Sequence, residues 1–146
     1  QILKNKLSKS FIENLDFIQS HINDCFIVSG GFKEIILEVL KPYGFKQNNI
    51  FANSFTFNKY NIVNGVDSKN PLSQDKGKNI ASQNIKGYNI IIGDGFTDYE
   101  IKKYNNAKIF ILFTENIFRK KLNKKADYVA ANFYQAFDYI KNVRKK

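Results

Sequence analysis

Apolar positions along the chain fall into two spacings that alternate from one end to the other. Phe11, Leu15 and Ile18 lie at helical spacing, so a helix is expected over Ser8–Ser20, with Ser8 or Ser10 as candidate N-cap. The run Cys25-Phe26-Ile27-Val28 predicts a strand, closed by Ser29-Gly30-Gly31. Phe32–Leu40 returns to helical spacing and is stopped by Pro42 and Gly44. Asn49-Ile50-Phe51-Ala52 predicts another strand of the same sheet. Phe55, Phe57, Tyr60, Ile62 and Val63 then alternate with polar residues around Asn58-Lys59, the pattern of a hairpin covering one end of the sheet. That alternation casts its aromatics as a half-buried packing face rather than as stacking platforms for bases.

Asp67–Gln74 is polar and carries Pro71, so a loop is expected. Asp75-Lys76-Gly77-Lys78 opens a helix through Ile80, Ala81 and Ile85 that ends near Gly87. Tyr88 and Ile90–Ile92 read as a strand buried on both faces, as in a parallel sheet, and it stops at Gly93-Asp94-Gly95. A short helix from Asp98 to about Tyr104, a strand over Lys108–Phe113 and a helix over Phe118–Leu122 follow. The chain then passes through a strand at Tyr128–Ala130 into a helix over Phe133–Val143, with Phe137 and Ile140 toward the sheet. Asn142–Lys146 reads as a solvated basic tail. Strands alternating with helices argue for a three-layer α/β sheet, mostly parallel, in one domain over residues 1–146. There are no internal repeats, low-complexity segments or linkers.

Composition narrows this picture. With 146 residues, 43% of them hydrophobic, and 14 Phe and 8 Tyr, the chain can bury a core and is not a disordered segment. No apolar run approaches the roughly 20 residues that a membrane helix needs, and Gln1-Ile2-Leu3-Lys4-Asn5 has no secretory pattern. One cysteine, Cys25, lies in an apolar run where a small buried hydrophobe is expected, consistent with a cytoplasmic location. The net charge of +10 is compatible with an anionic partner, yet Lys is spread over the whole length and only Arg119 and Arg144 are arginines. A nucleic-acid binder is therefore not expected; positive potential would instead attract a small phosphorylated substrate. The chain starts at Gln1 and contains no Met, which suggests a piece of a longer product.

Two places carry candidate chemistry. Ser29-Gly30-Gly31, between a strand and a helix, matches a turn in which backbone N–H groups and a hydroxyl hold an oxyanion; it equally matches a Gly-rich βα loop. At Gly93-Asp94-Gly95-Phe96-Thr97-Asp98, Asp94 leaves the C-terminal edge of a strand and Asp98 falls in the first turn of the next helix. Such a carboxylate pair suits Mg²⁺, or is a polar turn with Asp98 as a cap. His21, alone at a helix end, reads as structural.

Taken together, Ser29-Gly30-Gly31-Phe32, Lys76-Gly77-Lys78 and Gly93-Asp94-Gly95-Phe96-Thr97-Asp98 resemble the haloacid dehalogenase superfamily, and within it the phosphoserine phosphatase family. The likeness extends to Phe51-Ala52-Asn53 and Ala126-Asp127-Tyr128-Val129. It implies a three-layer αβα Rossmann-like core with a β-hairpin, and a Mg²⁺-dependent phosphomonoester hydrolase working through an aspartyl-phosphate. By resemblance, Ser29 and the Gly30 amide hold the phosphoryl group, with Thr97 at the edge of that network. Lys76 neutralises developing charge, Asp94 binds Mg²⁺, and Asp98 orients both the metal shell and the lysine. Lys78 is the alternative site lysine; Lys76 is preferred because Lys-Gly-x-x-Ile places Ile80 inward.

The family's nucleophile sits in an Asp-x-Asp-x-Thr segment on an earlier strand, which this sequence does not contain. Most of the cap region that selects substrate is likewise not in the sequence. Little or no turnover is therefore expected from this chain alone. The alternative is a noncatalytic phosphate- or anion-binding module, or a relic of such a phosphatase. Oligomeric state is not legible.

Overall fold

The computed structural model describes residues 7–145; the N-terminal hexapeptide, read above for a leader pattern, and Lys146 of the basic tail lie outside the described residues. Strands β1 (Ile27–Phe32) and β2 (Ile50–Asn53) pair in parallel, with Ile27 opposite Ile50. Strands β5 (Ile90–Gly93), β6 (Ile109–Phe113) and β7 (Tyr128–Ala130) form a second parallel sheet in that order, with Ile91 opposite Phe110. The expected hairpin is β3 (Phe55–Phe57) and β4 (Val63–Val66), antiparallel and paired only with each other. The fold is thus the expected α/β arrangement of parallel strands and intervening helices, but the strands do not join into one hydrogen-bonded sheet among the described residues.

Alternation along β6 builds the layers. Phe110 and Leu112 are fully buried and pack with Ile91, Tyr99 and Leu122 on one face. Ile109 and Ile111 pack on the other with Ala136, Tyr139 and Ile140. Tyr99 belongs to α5 (Phe96–Lys103) and the opposite group to α6 (Phe133–Arg144), so helices cover both faces. Phe137 and Ile140 do face the sheet; Phe137 joins a further cluster with Ile18, Leu40 and Ile50, against which Ile27 and Ile92 also pack. The cluster ties the two sheets together by apolar burial.

Several local expectations are corrected. The helix over Ser8–Ser20 is two short ones, α1 (Lys9–Glu13) and α2 (Leu15–Ser20), because Asn14 breaks the run: its side chain donates to the Ser10 carbonyl at 2.8 Å. Strand β1 does not close at Val28 but continues through Phe32, with a register shift between Val28 and Phe32. α3 (Lys33–Leu40) follows as expected. α4 is only Gly77–Ser82. Strand β5 is half-buried rather than buried on both faces, pairing among the described residues with β6 alone, and Tyr88 is 64% exposed outside it. The segment expected as helix over Phe118–Leu122 is a 3₁₀ turn at Lys120–Lys125, leaving Phe118 exposed.

A buried polar clasp joins the first helix to the last third of the chain. Ser10, 4% exposed, donates its hydroxyl to the Glu115 carboxylate and accepts the Phe133 N–H at 2.8 Å. Its own N–H donates to Glu115 Oε1 at 3.2 Å.

Candidate active site

The turn after β5 is organised by Asp98. Gly95 is the N-cap of α5, and its N–H donates to Asp98 Oδ2 at 3.0 Å, so the helix start and the carboxylate fix each other. Oδ1 accepts from Lys78 Nζ at 2.9 Å. The Asp98 side chain is 9% exposed and that of Lys78 22%, so the pair is largely withdrawn from water, where an ion pair is strong and an unpaired charge costly. Gly93 permits this approach: a Cβ there would run into the Asp98 carboxylate. Lys78 is delivered by α4, which packs against α5 on one side and β1 on the other. The start of α4 is seated by Gly77, whose added Cβ would lie 2.7 Å from Leu72 Cα.

Asp94 is different in kind. It is half-exposed, and its Oδ1 lies 3.5 Å from Arg119 Nη1, which also donates to the Asp94 carbonyl at 2.9 Å. Both Asp98 oxygens are engaged, so Asp94 is the carboxylate of the pair that retains an oxygen for a ligand. One exposed hard oxygen at a strand end is what Mg²⁺ uses when most of its shell is water and substrate phosphate. Among the described residues no group of three or more His, Cys, Asp or Glu side chains gathers as a ready-made metal cage. Among the described residues the two carboxylates thus offer a partial donor set at most: one free oxygen on Asp94, beside an Asp98 whose oxygens are both engaged.

Ser29 lies on β1, half-buried, and its hydroxyl oxygen accepts the Gly31 N–H at 3.0 Å. Gly30 is exposed, and its carbonyl accepts from Asn53 Nδ2 at 2.9 Å, fastening the loop to the end of β2. Just beyond, Glu34 Oε1 accepts the Phe55 N–H at 3.1 Å, and Phe32 stacks on Phe55 with ring centroids 3.9 Å apart. Asn53 Oδ1 and Glu34 Oε2 are buried acceptors with no partner among the described residues. A group docking there would have to bring N–H or O–H donors.

The residues expected at the site divide accordingly. Asp94, Asp98 and Lys78 come together at one turn; Ser29 is reached from it through the α4–β1 packing and makes no described hydrogen bond to them. Thr97 is exposed on the first turn of α5. Lys76, preferred from the sequence, is exposed and sits before α4 with a left-handed φ of 56°, its ammonium 5.4 Å from the Tyr104 ring centre. The Tyr104 phenol first, then Asp75 and Glu100, hold that ammonium above its ordinary range. The lysine that meets Asp98 is Lys78, while Lys76 lies over the Tyr104 ring. Arg119 was not foreseen; its one sequence signal was being a rare arginine in a lysine-rich chain. His21 packs against Phe17 with the ring planes tilted by 35°, and its Nδ1 lies 2.9 Å from the Phe17 carbonyl.

Known proteins are similar to this chain in sequence and in fold. Over 133 residues the chain is 31% identical to "Phosphoserine phosphatase, chloroplastic" of Arabidopsis thaliana, covering 88% of this chain and 45% of that protein. Over 134 residues it is 28% identical to human phosphoserine phosphatase, covering 88% and 59% respectively. The chain thus spans about half the length of the curated relatives it matches. No family model matches. The crystal structure of a phosphoserine phosphohydrolase-like protein from Francisella tularensis superposes with a TM-score of 0.79 at 28% identity, over 93% of this chain and 64% of that one. With the Gly-Asp-Gly-x-x-Asp turn described above, these matches make the chain phosphoserine phosphatase-like in sequence and in fold.

Proposed function

We propose that this chain is the phosphate- and metal-holding portion of a phosphomonoester hydrolase that works through an aspartyl-phosphate, with the nucleophile supplied from outside these 146 residues. The observation that carries this reading is the Lys78–Asp98 bridge seated on the Gly93–Gly95 turn. Phosphoryl transfer asks chiefly for positioning and charge neutralisation, and a withdrawn ammonium locked by a carboxylate supplies a fixed positive charge. In this role Lys78 rather than Lys76 neutralises the phosphoryl oxygens and the attacking carboxylate. Asp98 holds Lys78 in place. The Ser29 hydroxyl and the Gly30 N–H contact phosphoryl oxygens, with Thr97 at the margin. Asp94 would hold Mg²⁺, which supplies Lewis-acid charge stabilisation when bound. Arg119, beside Asp94, offers a guanidinium to a second anionic group of the substrate.

Phosphoserine is the substrate proposed, on the names of the relatives. A cytoplasmic location belongs to the same reading; among the described residues no helix is long and apolar enough to cross a membrane. The half-exposed Ile90–Ile92, with one edge of β5 unpaired among the described strands, and the half-buried Ile27 and Val28 of β1 suit an added strand carrying the nucleophile.

Titration of the chain with inorganic phosphate in the presence and absence of Mg²⁺, followed by calorimetry, tests the reading. Phosphate binding is expected to strengthen with Mg²⁺, to lose that dependence in Asp94→Asn, and to weaken by about tenfold or more in Lys78→Ala. Phosphate affinity indifferent to all three changes would remove the basis for a phosphatase site.

A further inference from the structure

A cleft of about 330 Å³ opens between β2, the loop over residues 67–73 and α4, and its lining residues are distinct from those of the candidate active site. Apolar side chains supply much of the lining: Ala52 and Ala81 are buried, Phe51 and Leu72 half-buried. Its charged residues are Lys33 at the start of α3, and Asp67 and Lys69 on the loop. That loop is held in shape by its own hydrogen bonds. Asn70 Nδ2 donates to the Ala52 carbonyl at 2.7 Å, while Asn70 Oδ1 accepts the Leu72 N–H at 3.0 Å. The Asp67 N–H donates to the Ser54 carbonyl at 2.9 Å, and Asp67 Oδ1 accepts the Lys69 N–H at 3.0 Å. A concave, partly apolar cleft of this size is the usual form of a small-molecule site. One whose wall is already fixed spares the ligand the cost of ordering it.

We propose that this cleft binds a small carboxylate with an apolar body, and that its occupation is felt at the Lys78–Asp98 bridge. Charge decides the class of ligand. The lining holds two lysines against one aspartate, and neither lysine is paired with a carboxylate among the described residues. The unmatched charge is positive. A carboxylate meets it with a charge-assisted contact, while Phe51, Leu72 and Ala81 cover hydrocarbon. A bare inorganic anion would leave that apolar lining in water. The coupling follows from which residues make the cleft. Pro71 and Leu72 line it and also seat the start of α4, where a Cβ added to Gly77 would lie 2.7 Å from Leu72 Cα. Lys78 is the next residue, and Ala81, also in the lining, lies one turn beyond it on the same helix. A ligand thus touches both the seat and the shaft of the helix that carries Lys78, and close-packed elements transmit displacement. At the far end of that helix contact, Asp98 accepts from Lys78 Nζ at 2.9 Å and from the Gly95 N–H at 3.0 Å. None of this depends on the phosphatase reading, because the bridge belongs to the fold whatever chemistry it serves.

Amide NMR of the whole chain titrated with benzoate tests it, with benzamide as the same body without the charge and acetate as the charge without the body. Benzoate is expected to bind with a dissociation constant on the order of 1 mM, as suits so small a ligand. It should move the N–H signals of Leu72, Ala81 and Asn84 and, with the same midpoint, that of Gly95. Benzamide and acetate should each bind about tenfold more weakly. Lys33→Glu combined with Lys69→Glu is expected to weaken benzoate about tenfold with the far-UV spectrum unchanged. Asn84→Phe, which adds a ring to the exposed part of the lining, should abolish binding. Should one of these variants lose its fold, the other carries the same expectation. Signals at the cleft that stay unmoved at about 10 mM benzoate, movement confined to the Gly93–Gly95 turn, binding indifferent to the variants, or movement at the cleft with Gly95 unmoved would each overturn the proposal.

Discussion

Two lysines separated by one glycine end up in opposite circumstances. Lys78 closes on a carboxylate that is largely out of water, so Lys78→Ala leaves Asp98 with an uncompensated buried charge and is expected to cost about 2–3 kcal/mol in chemical denaturation. Lys76 occupies a left-handed conformation that disfavours a Cβ, so Lys76→Gly is expected to stabilise by roughly 0.5 kcal/mol in the same measurement. Gly93→Ala drives a methyl group into Asp98 and should destabilise by about 2 kcal/mol. The carboxylates were legible in the sequence because a glycine-flanked strand end fixes local geometry by itself. Which lysine reaches Asp98 was not, since the two are separated by one glycine and only the placement of α4 against α5 distinguishes them. Cys25 offers a pH test. Burial first, and then Asp24, raise its thiol above the usual 9.0. The folded state thus holds this proton more tightly than the unfolded chain does. Stability is retained below the unfolded thiol's value and declines as pH rises through the folded one. Replacing Cys25 with Ala should flatten that alkaline decline in a pH series of melts.

At the scale of elements, strand number and order follow from the alternation of apolar runs, and all but one of the expected strands and helices occur near their expected positions. The exception, Phe118–Leu122, is informative: five of the seven residues from Arg119 to Lys125 are basic, and only Leu122 among them is buried. One apolar anchor holds a 3₁₀ turn but gives an α-helix no face to bury. The split at Asn14 has the opposite origin, a side chain competing for a helical carbonyl. Hydrogen exchange should rank the strands. β6, paired on both sides and buried at every position, is expected to exchange slowest, and β5, with one edge unpaired among the described residues, several-fold faster. The periodic pattern does not reveal that difference, because Ile90–Ile92 look as apolar as Ile109–Phe113 in the sequence.

For the molecule as a whole, the matches to relatives about twice as long set the expectation for activity. The 146-residue chain alone should release no phosphate from phosphoserine above background. A chain extended to include an Asp-x-Asp-x-Thr segment should do so, and Asp94→Asn in that chain should abolish turnover. Robust release by the short chain would contradict the proposed division of labour. Phosphate binding should also weaken as salt rises, because a net charge of +10 draws in anions through a field that salt screens within about 10 Å at 0.1 M. One further consequence lies in the clasp at Ser10. Its partners Glu115 and Phe133 lie 105 and 123 positions further along. During ribosomal synthesis this clasp cannot close until Phe133 has been translated. Until then the segment around Ser10 is without these partners and exposed to chaperones and proteases.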